Sequence, residues 1–180
     1  MRATQLLREE HELILRGLRV LMALADRAAR GVEVPAKAVS EALEFFTQFA
    51  DTHHHHKEEQ ILFPALEEAG LPSEGGPVGV MLHEHVLGRE LIAALRAAAP
   101  QADGDAAGRT RFADTARAYT ALLSGHIDKE NHVLFRMADQ AIGGADARRV
   151  DENFDAFEAA STARRTEQEA VVNRLARELL

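Results

Sequence analysis

The chain contains no cysteine and no tryptophan, has one tyrosine, and is only 5% aromatic. Without cysteine, disulfide frameworks, thiolate zinc sites and iron–sulfur clusters are excluded. With so few aromatics, and with Ala, Leu, Glu and Arg abundant, helix formers outweigh strand formers, so the expected class is all-α. Basic residues are also in deficit: 21 Lys and Arg against 29 Asp and Glu give a net charge of −8. That balance argues against nucleic acid or an anionic membrane as a partner, because both attract clustered cations. No uncharged run approaches membrane-spanning length, and Met1–Glu10 has no apolar signal-like stretch, so a cytoplasmic protein is the simplest expectation. What is present is 46% hydrophobic residues in 180, enough for one core without disulfides or obligatory oligomerisation.

Glycine and proline punctuate the chain into helices. The first is expected from an N-cap at Thr4 to about Arg30, stopped by Gly31. A second opens near Pro35 and closes at Gly70, with a kink or altered turn at Pro64. Ser73 to Pro77 is a connector, a third helix runs to about Ala99, and a fourth follows Gly108 and stops at Gly143-Gly144. Short connectors between four such helices predict an up-down-up-down four-helix bundle over 1–143. The remaining 144–180 reads as an amphipathic helical extension, breaking near Ser161, that packs on the bundle or on a partner; a monomer or a homodimer through this helix both fit.

The most informative pattern is a repeat. His54-x-x-Lys57-Glu58-x-x-Ile61-Leu62-Phe63 is matched by His126-x-x-Lys129-Glu130-x-x-Val133-Leu134-Phe135. On a helix each His and Glu, four residues apart, share a face. His54 is in line with Leu43, Phe46, Ala50, Ile61, Leu62 and Ala65, so His54 and Glu58 are expected inside. His55 and Glu59 share the wet face of Glu41, Glu44, Gln48 and Asp51, which predicts His55 beside the inward groups or at the surface. His53 and His56 border the apolar face. His126 and Glu130 align with Phe112, Tyr119, Leu122, Leu123, Val133 and Met137, whereas His132 lies among charges.

Two further histidines extend the repeat. His11 is flanked by Leu7, Ile14, Leu15 and Leu18, and His85 by Val78, Met81, Leu82 and Ile92. His11 precedes His54 by about as much as His85 precedes His126, so each helix hairpin carries one His and then His-x-x-x-Glu. Buried imidazoles and carboxylates aimed at one core are costly unless a metal or mutual hydrogen bonds satisfy them. His11, His54, Glu58, His85, His126 and Glu130 are therefore the expected metal ligands, with a salt-bridged structural core as the bland alternative. Four imidazoles and two carboxylates suit iron, zinc or manganese rather than calcium or magnesium. Two ions bridged by Glu58 and Glu130, roughly 3.5–4 Å apart, would keep positions open for water, an oxo or hydroxo bridge, dioxygen, peroxide or nitric oxide.

These residues resemble the hemerythrin-like (HHE cation-binding) domains over roughly Thr4 to Ala141. The resemblance rests on His11, on His54 and Glu58 followed by Leu62-Phe63-Pro64, on Glu84-His85, and on His126 with Glu130. It implies a four-helix bundle with a non-haem di-iron centre that binds small diatomic ligands. Oxygen-carrying members place two His four apart on the third helix; here Met81 and Arg89 flank His85 at that spacing, and Arg136 rather than Pro follows Phe135. The departure moves the expectation from oxygen carriage toward a protein that binds or reacts with dioxygen, peroxide or nitric oxide in sensing, detoxification or stress response. A metal-dependent binding or regulatory module without turnover is the alternative. Tyr119, one face with His126, is a candidate catalytic group as hydrogen-bond donor, proton or radical source, or ligand, or else a core tyrosine bonded to a backbone carbonyl. Arg89 reads as a solvated charge or as the partner of a carboxylate near the site.

Overall fold

The computed structural model describes residues 1–180, and every regular element in it is helical. Helix α1 is Arg2–Ala29. Helix α2 is continuous over 36–68, beginning as Ala36–Phe45, passing through π-helical turns at Phe46–His55 and Glu58–Leu62, and ending as Phe63–Glu68. Helix α3 is Pro77–Ala98. Helix α4 covers 106–141, with a π-helical turn at Glu130–Leu134 between Ala106–Lys129 and Phe135–Ala141. Helix α5 is Gly144–Leu179. None is long and apolar enough to cross a membrane.

Two stops fall where glycine supplies a left-handed residue, Gly31 at φ 68° and Gly70 at φ 94°, whereas α4 ends because Ile142 and Gly143 are extended, and Gly144 at φ 59° opens α5. Asp105 caps α4, its carboxylate accepting from the Gly108 N–H at 2.8 Å. Pro64 sits in the first turn after a π-helical segment, where the backbone already departs from the i→i−4 ladder and its missing N–H costs less. Two expectations need correction. Thr4 is not an N-cap, because the helix begins at Arg2 and the Thr4 hydroxyl donates to Met1 O and Asp139 instead. Nor does α5 break near Ser161, whose hydroxyl donates to Phe157 O one turn back while the helix continues.

Burial divides the interior into two apolar clusters. One gathers Ile14, Leu21, Phe46, Ala50, Leu95, Phe112 and Leu123; the other gathers Leu7, Leu62, Phe63, Met81, Leu134 and Phe135. Each of α1 to α4 passes from one cluster to the other, and the crossing falls at His11, at His53 to Glu58, at His85 and at His126 to Glu130. The polar layer is thus sealed above and below by hydrocarbon. Helix α5 lies along α1 and α2, contributing Val150 and Phe154 to the smaller cluster and Val172 and Leu175 to the larger. Phe154 is 2% exposed, so Phe154→Ala should destabilise the chain by about 3–5 kcal/mol, measured as a lower urea midpoint.

Candidate metal centre

At the polar layer, two groups of four potential ligands interlock. His11, His54, Glu58 and Glu130 offer donor atoms within 4.8 Å of one another, and so do His55, Glu58, His85 and His126. Glu58 belongs to both, with one oxygen 3.6 Å from His54 Nε2 and the other 3.5 Å from His85 Nε2. Glu130 reaches across in the same way, its Oε2 lying 3.2 Å from His11 Nε2 and 3.3 Å from His126 Nε2. All six residues named from the sequence therefore meet in one buried layer, together with His55.

Four imidazoles are held alike, by residues that obey the same internal twofold. His54 Nδ1–H donates to Glu10 at 2.8 Å and His126 Nδ1–H to Glu84 at 3.0 Å. Glu10 and Glu84 immediately precede His11 and His85. His11 Nδ1–H donates to Asn131 at 2.9 Å and His85 Nδ1–H to Glu59 at 2.7 Å, and those acceptors immediately follow Glu130 and Glu58. Lys57 and Lys129, the lysines of the repeat, neutralise Glu10 and Glu84 respectively. With Nδ1 donating, a neutral ring presents a lone pair at Nε2. Those lone pairs face each other, His11 to His54 at 3.0 Å and His85 to His126 at 3.2 Å, an arrangement that repels unless a proton or a metal ion lies between.

The carboxylates state the same demand. Glu58 and Glu130 are both fully buried, and none of their four oxygens accepts a hydrogen bond. Their negative charge acts on the neighbouring rings: against the burial that would lower it, Glu130 raises His126 to about 10, and Glu130 and Glu58 raise His11. Reciprocally, and again against burial, His126 and His11 hold Glu130 well below the usual carboxylate range. His55 behaves oppositely. Burial and the nearby His85 push it well down, leaving a neutral imidazole.

His55, expected beside the inward groups or at the surface, lies inside among the candidate ligands. It is 5% exposed and stacks on His85 at 3.8 Å between ring centroids, with neither ring nitrogen hydrogen-bonded. The stretch Phe46–His55 is π-helical, which shifts the period that placed His55 on the wet face, and His85 of α3 covers it. His53 is drawn inside as well, bridging Glu10 at 3.2 Å and Glu158 of α5 at 3.0 Å. His56 and His132 remain exposed. The turn at Glu130–Leu134 also exposes Val133, which a regular helix would have placed on the inner stripe. Tyr119 is buried with its ring against Phe46, and no backbone carbonyl accepts from its hydroxyl; burial and Asp51 push the phenol up. Arg89 is the partner of carboxylates rather than a free charge, donating to Asp51 at 2.8 Å and Glu59 at 2.7 Å.

Sequence reasoning also passed over Glu10, Lys57 and Glu158. Glu10 is 2% exposed and Lys57 fully buried, and Lys57 binds both Glu10 and Glu158. The available signal was the Glu-His pair, present at Glu10-His11 as at Glu84-His85. Glu158 had none, since only the tertiary path of α5 brings it to Lys57. Against partial burial, His53 and Lys57 lower the Glu158 carboxyl to about 2 from the ordinary 4.5. A depressed folded value contributes stability above the unfolded one and loses it as pH falls from about 4.5 toward 2. Glu158→Gln should flatten that part of the acid-unfolding curve followed by circular dichroism.

A family model described as the hemerythrin HHE cation binding domain matches residues 2–138. Uncharacterized proteins of Mycobacterium bovis and of two Mycobacterium tuberculosis strains are 27% identical over 150 residues, 83% of this chain. The chain spans 58% of the length of these relatives. No solved structure gives a significant match.

Proposed function

The chain belongs to the hemerythrin HHE cation-binding domain family, and from that premise we propose that it is a non-haem di-iron protein that binds or reacts with a small oxidant. Dioxygen, peroxide and nitric oxide are the candidate ligands, in sensing, detoxification or a stress response. The observation that carries the reading is the pair of interlocked donor groups around Glu58 and Glu130, whose buried oxygens have no hydrogen-bond donor.

The donor set fits iron. Imidazole and carboxylate suit it, as they suit zinc or manganese, and the opposed Nε2 lone pairs need a shared cation. His11 and His54 would hold one ion and His55, His85 and His126 the other, with Glu58 and Glu130 shared between them. When bound, a pair of iron ions supplies one-electron chemistry and coordination positions beyond those the protein fills. The chain's own residues do the rest. Glu10, Glu84, Glu59 and Asn131 fix ring orientation and tautomer, the two apolar clusters exclude water, and Tyr119 offers an O–H to a ligand at the His126 side.

A metal-dependent regulatory module without turnover is supported by a different observation, the buried chain from His54 through Glu10 and Lys57 to Glu158 on α5. In that reading metal occupancy changes how firmly α5 is docked. Removal of metal then loosens α5, read as faster amide exchange in α5 than in α3.

Purified protein loaded anaerobically with ferrous iron should retain two ions per chain and, on exposure to oxygen or peroxide, develop oxo-bridge absorption in the near ultraviolet. No bound iron and no spectral change would sink the reading. Glu58→Ala and His126→Ala should each reduce retained iron below two per chain, Glu10→Gln should weaken iron binding about 10–100-fold, and His132→Ala should change nothing. At a free metal concentration about a hundred times the Kd, loading should add about 2.7 kcal/mol of stability, read from urea midpoints with and without chelator.

A further inference from the structure

The two sides of the centre differ in access. On the His54 side, α5 closes the site with Glu158, which is bound to Lys57 of α2, and with Phe157, which packs on His53 and His56. On the other, a cavity of about 220 Å³ reaches the edges of His55, His85 and His126 between α2, α3 and α4. A dry apolar cavity of about 150 Å³ is enough to bind benzene, so this space is much larger than a diatomic molecule or hydrogen peroxide needs. Its apolar walls are Phe46, Ile92, Ala93, Leu122 and Leu123, and its polar end is the histidine cluster with Glu84 and Tyr119. Gly88 helps keep it open, since a Cβ there would meet only Tyr119 Cε2, at 4.0 Å.

The charges at the rim are already paired. Arg89 is bound to Asp51 and Glu59, and Arg96 to Glu44, Thr47 and the Leu43 carbonyl. Neither rim arginine is free to recruit an anion, and transferring an unpaired carboxylate into such a space is costly. The ligand suited to these walls is neutral, with an apolar tail about the size of a benzene ring or a branched alkyl group and an oxygen head directed at the histidines.

We propose that this cavity binds the tail of an organic hydroperoxide and that such hydroperoxides are the oxidant class of this protein. The inference rests on the di-iron reading. A bound ferrous pair would supply the two electrons that the O–O bond takes up as it breaks, and two protons would complete one alcohol and one water. Cavity residues take no part in the electron transfer; they hold the tail so that the O–O group lies at the His55, His85 and His126 end.

The chain's only tyrosine lines the cavity and there is no tryptophan, so tyrosine emission reports occupancy directly. Metal-free and metal-loaded protein titrated with 2-phenyl-2-propanol, the alcohol left by cumene hydroperoxide, should show a saturable emission change. In the metal-free protein, benzoate should bind at least tenfold more weakly. Gly88→Leu, which fills the cavity, should weaken the alcohol at least tenfold, and Ile92→Trp, examined by competition in an NMR titration, should do the same. In rapid mixing, the ferrous-loaded protein should oxidise at least tenfold faster with cumene hydroperoxide than with hydrogen peroxide. Gly88→Leu should remove that preference. Tighter binding of benzoate, or alcohol binding unaffected by both filling variants, overturns the proposal. Equal rates with the two peroxides overturn it while leaving the di-iron reading standing; alcohol binding without iron retention overturns the di-iron reading and the oxidant class with it, leaving only a cavity for neutral molecules.

Discussion

Two carboxylates with no hydrogen-bond donors, sealed between hydrocarbon clusters, are the constraint around which this bundle is built. A buried anion is tolerated only beside positive charge, and Glu58 and Glu130 have none of their own except what imidazoles or a cation bring. Every helix from α1 to α4 therefore changes at the same level from apolar packing to ligand-type side chains. The interior is less one core than two, joined by a polar layer that hydrocarbon packing alone does not satisfy.

Around that layer the internal duplication goes deeper than the repeated segment. Glu10 and Glu84 orient the imidazoles of the second and fourth helices, while Asn131 and Glu59 orient those of the first and third. The symmetry fails in two places, and both failures bear on chemistry. Where the second hairpin has Ile127 after its histidine, the first has His55, which adds a fifth ring on the side left open to the cavity. Where Lys129 is 43% exposed, Lys57 is buried under α5 and tied to Glu158. One half of the centre is thus accessible and the other anchored to a helix that lies beyond the family match.

The first hairpin contains another departure from regularity. Successive histidines on a helix point in different directions, yet His53, His54 and His55 are all buried, His53 under α5 and His55 against His85 of α3, where the chain adopts π-helical turns. A π-helical segment gives up regular hydrogen bonding and is found disproportionately at functional sites. The compensation here is the set of contacts those histidines make with Glu10, Glu158 and His85, none of which is available to a surface residue.

The all-α class, the helix stops at Gly31 and Gly70, and the inward direction of His11, His54, Glu58, His85, His126 and Glu130 were all determined by the sequence itself. Each depends on local conformational preference or on a 3.6-residue period, which neighbouring residues encode. The burial of His55 and His53, the exposure of Val133, the continuity of α5 through Ser161, and the joining of Glu158 to Lys57 and Glu10 were decided only in the tertiary structure. Period counting assumes one helical pitch, and the π-helical turns change it. Glu158 and Lys57 are 101 residues apart, and their pairing exists because α5 packs across α1 and α2, a long-range choice set by where its apolar residues find cover rather than by any local pattern.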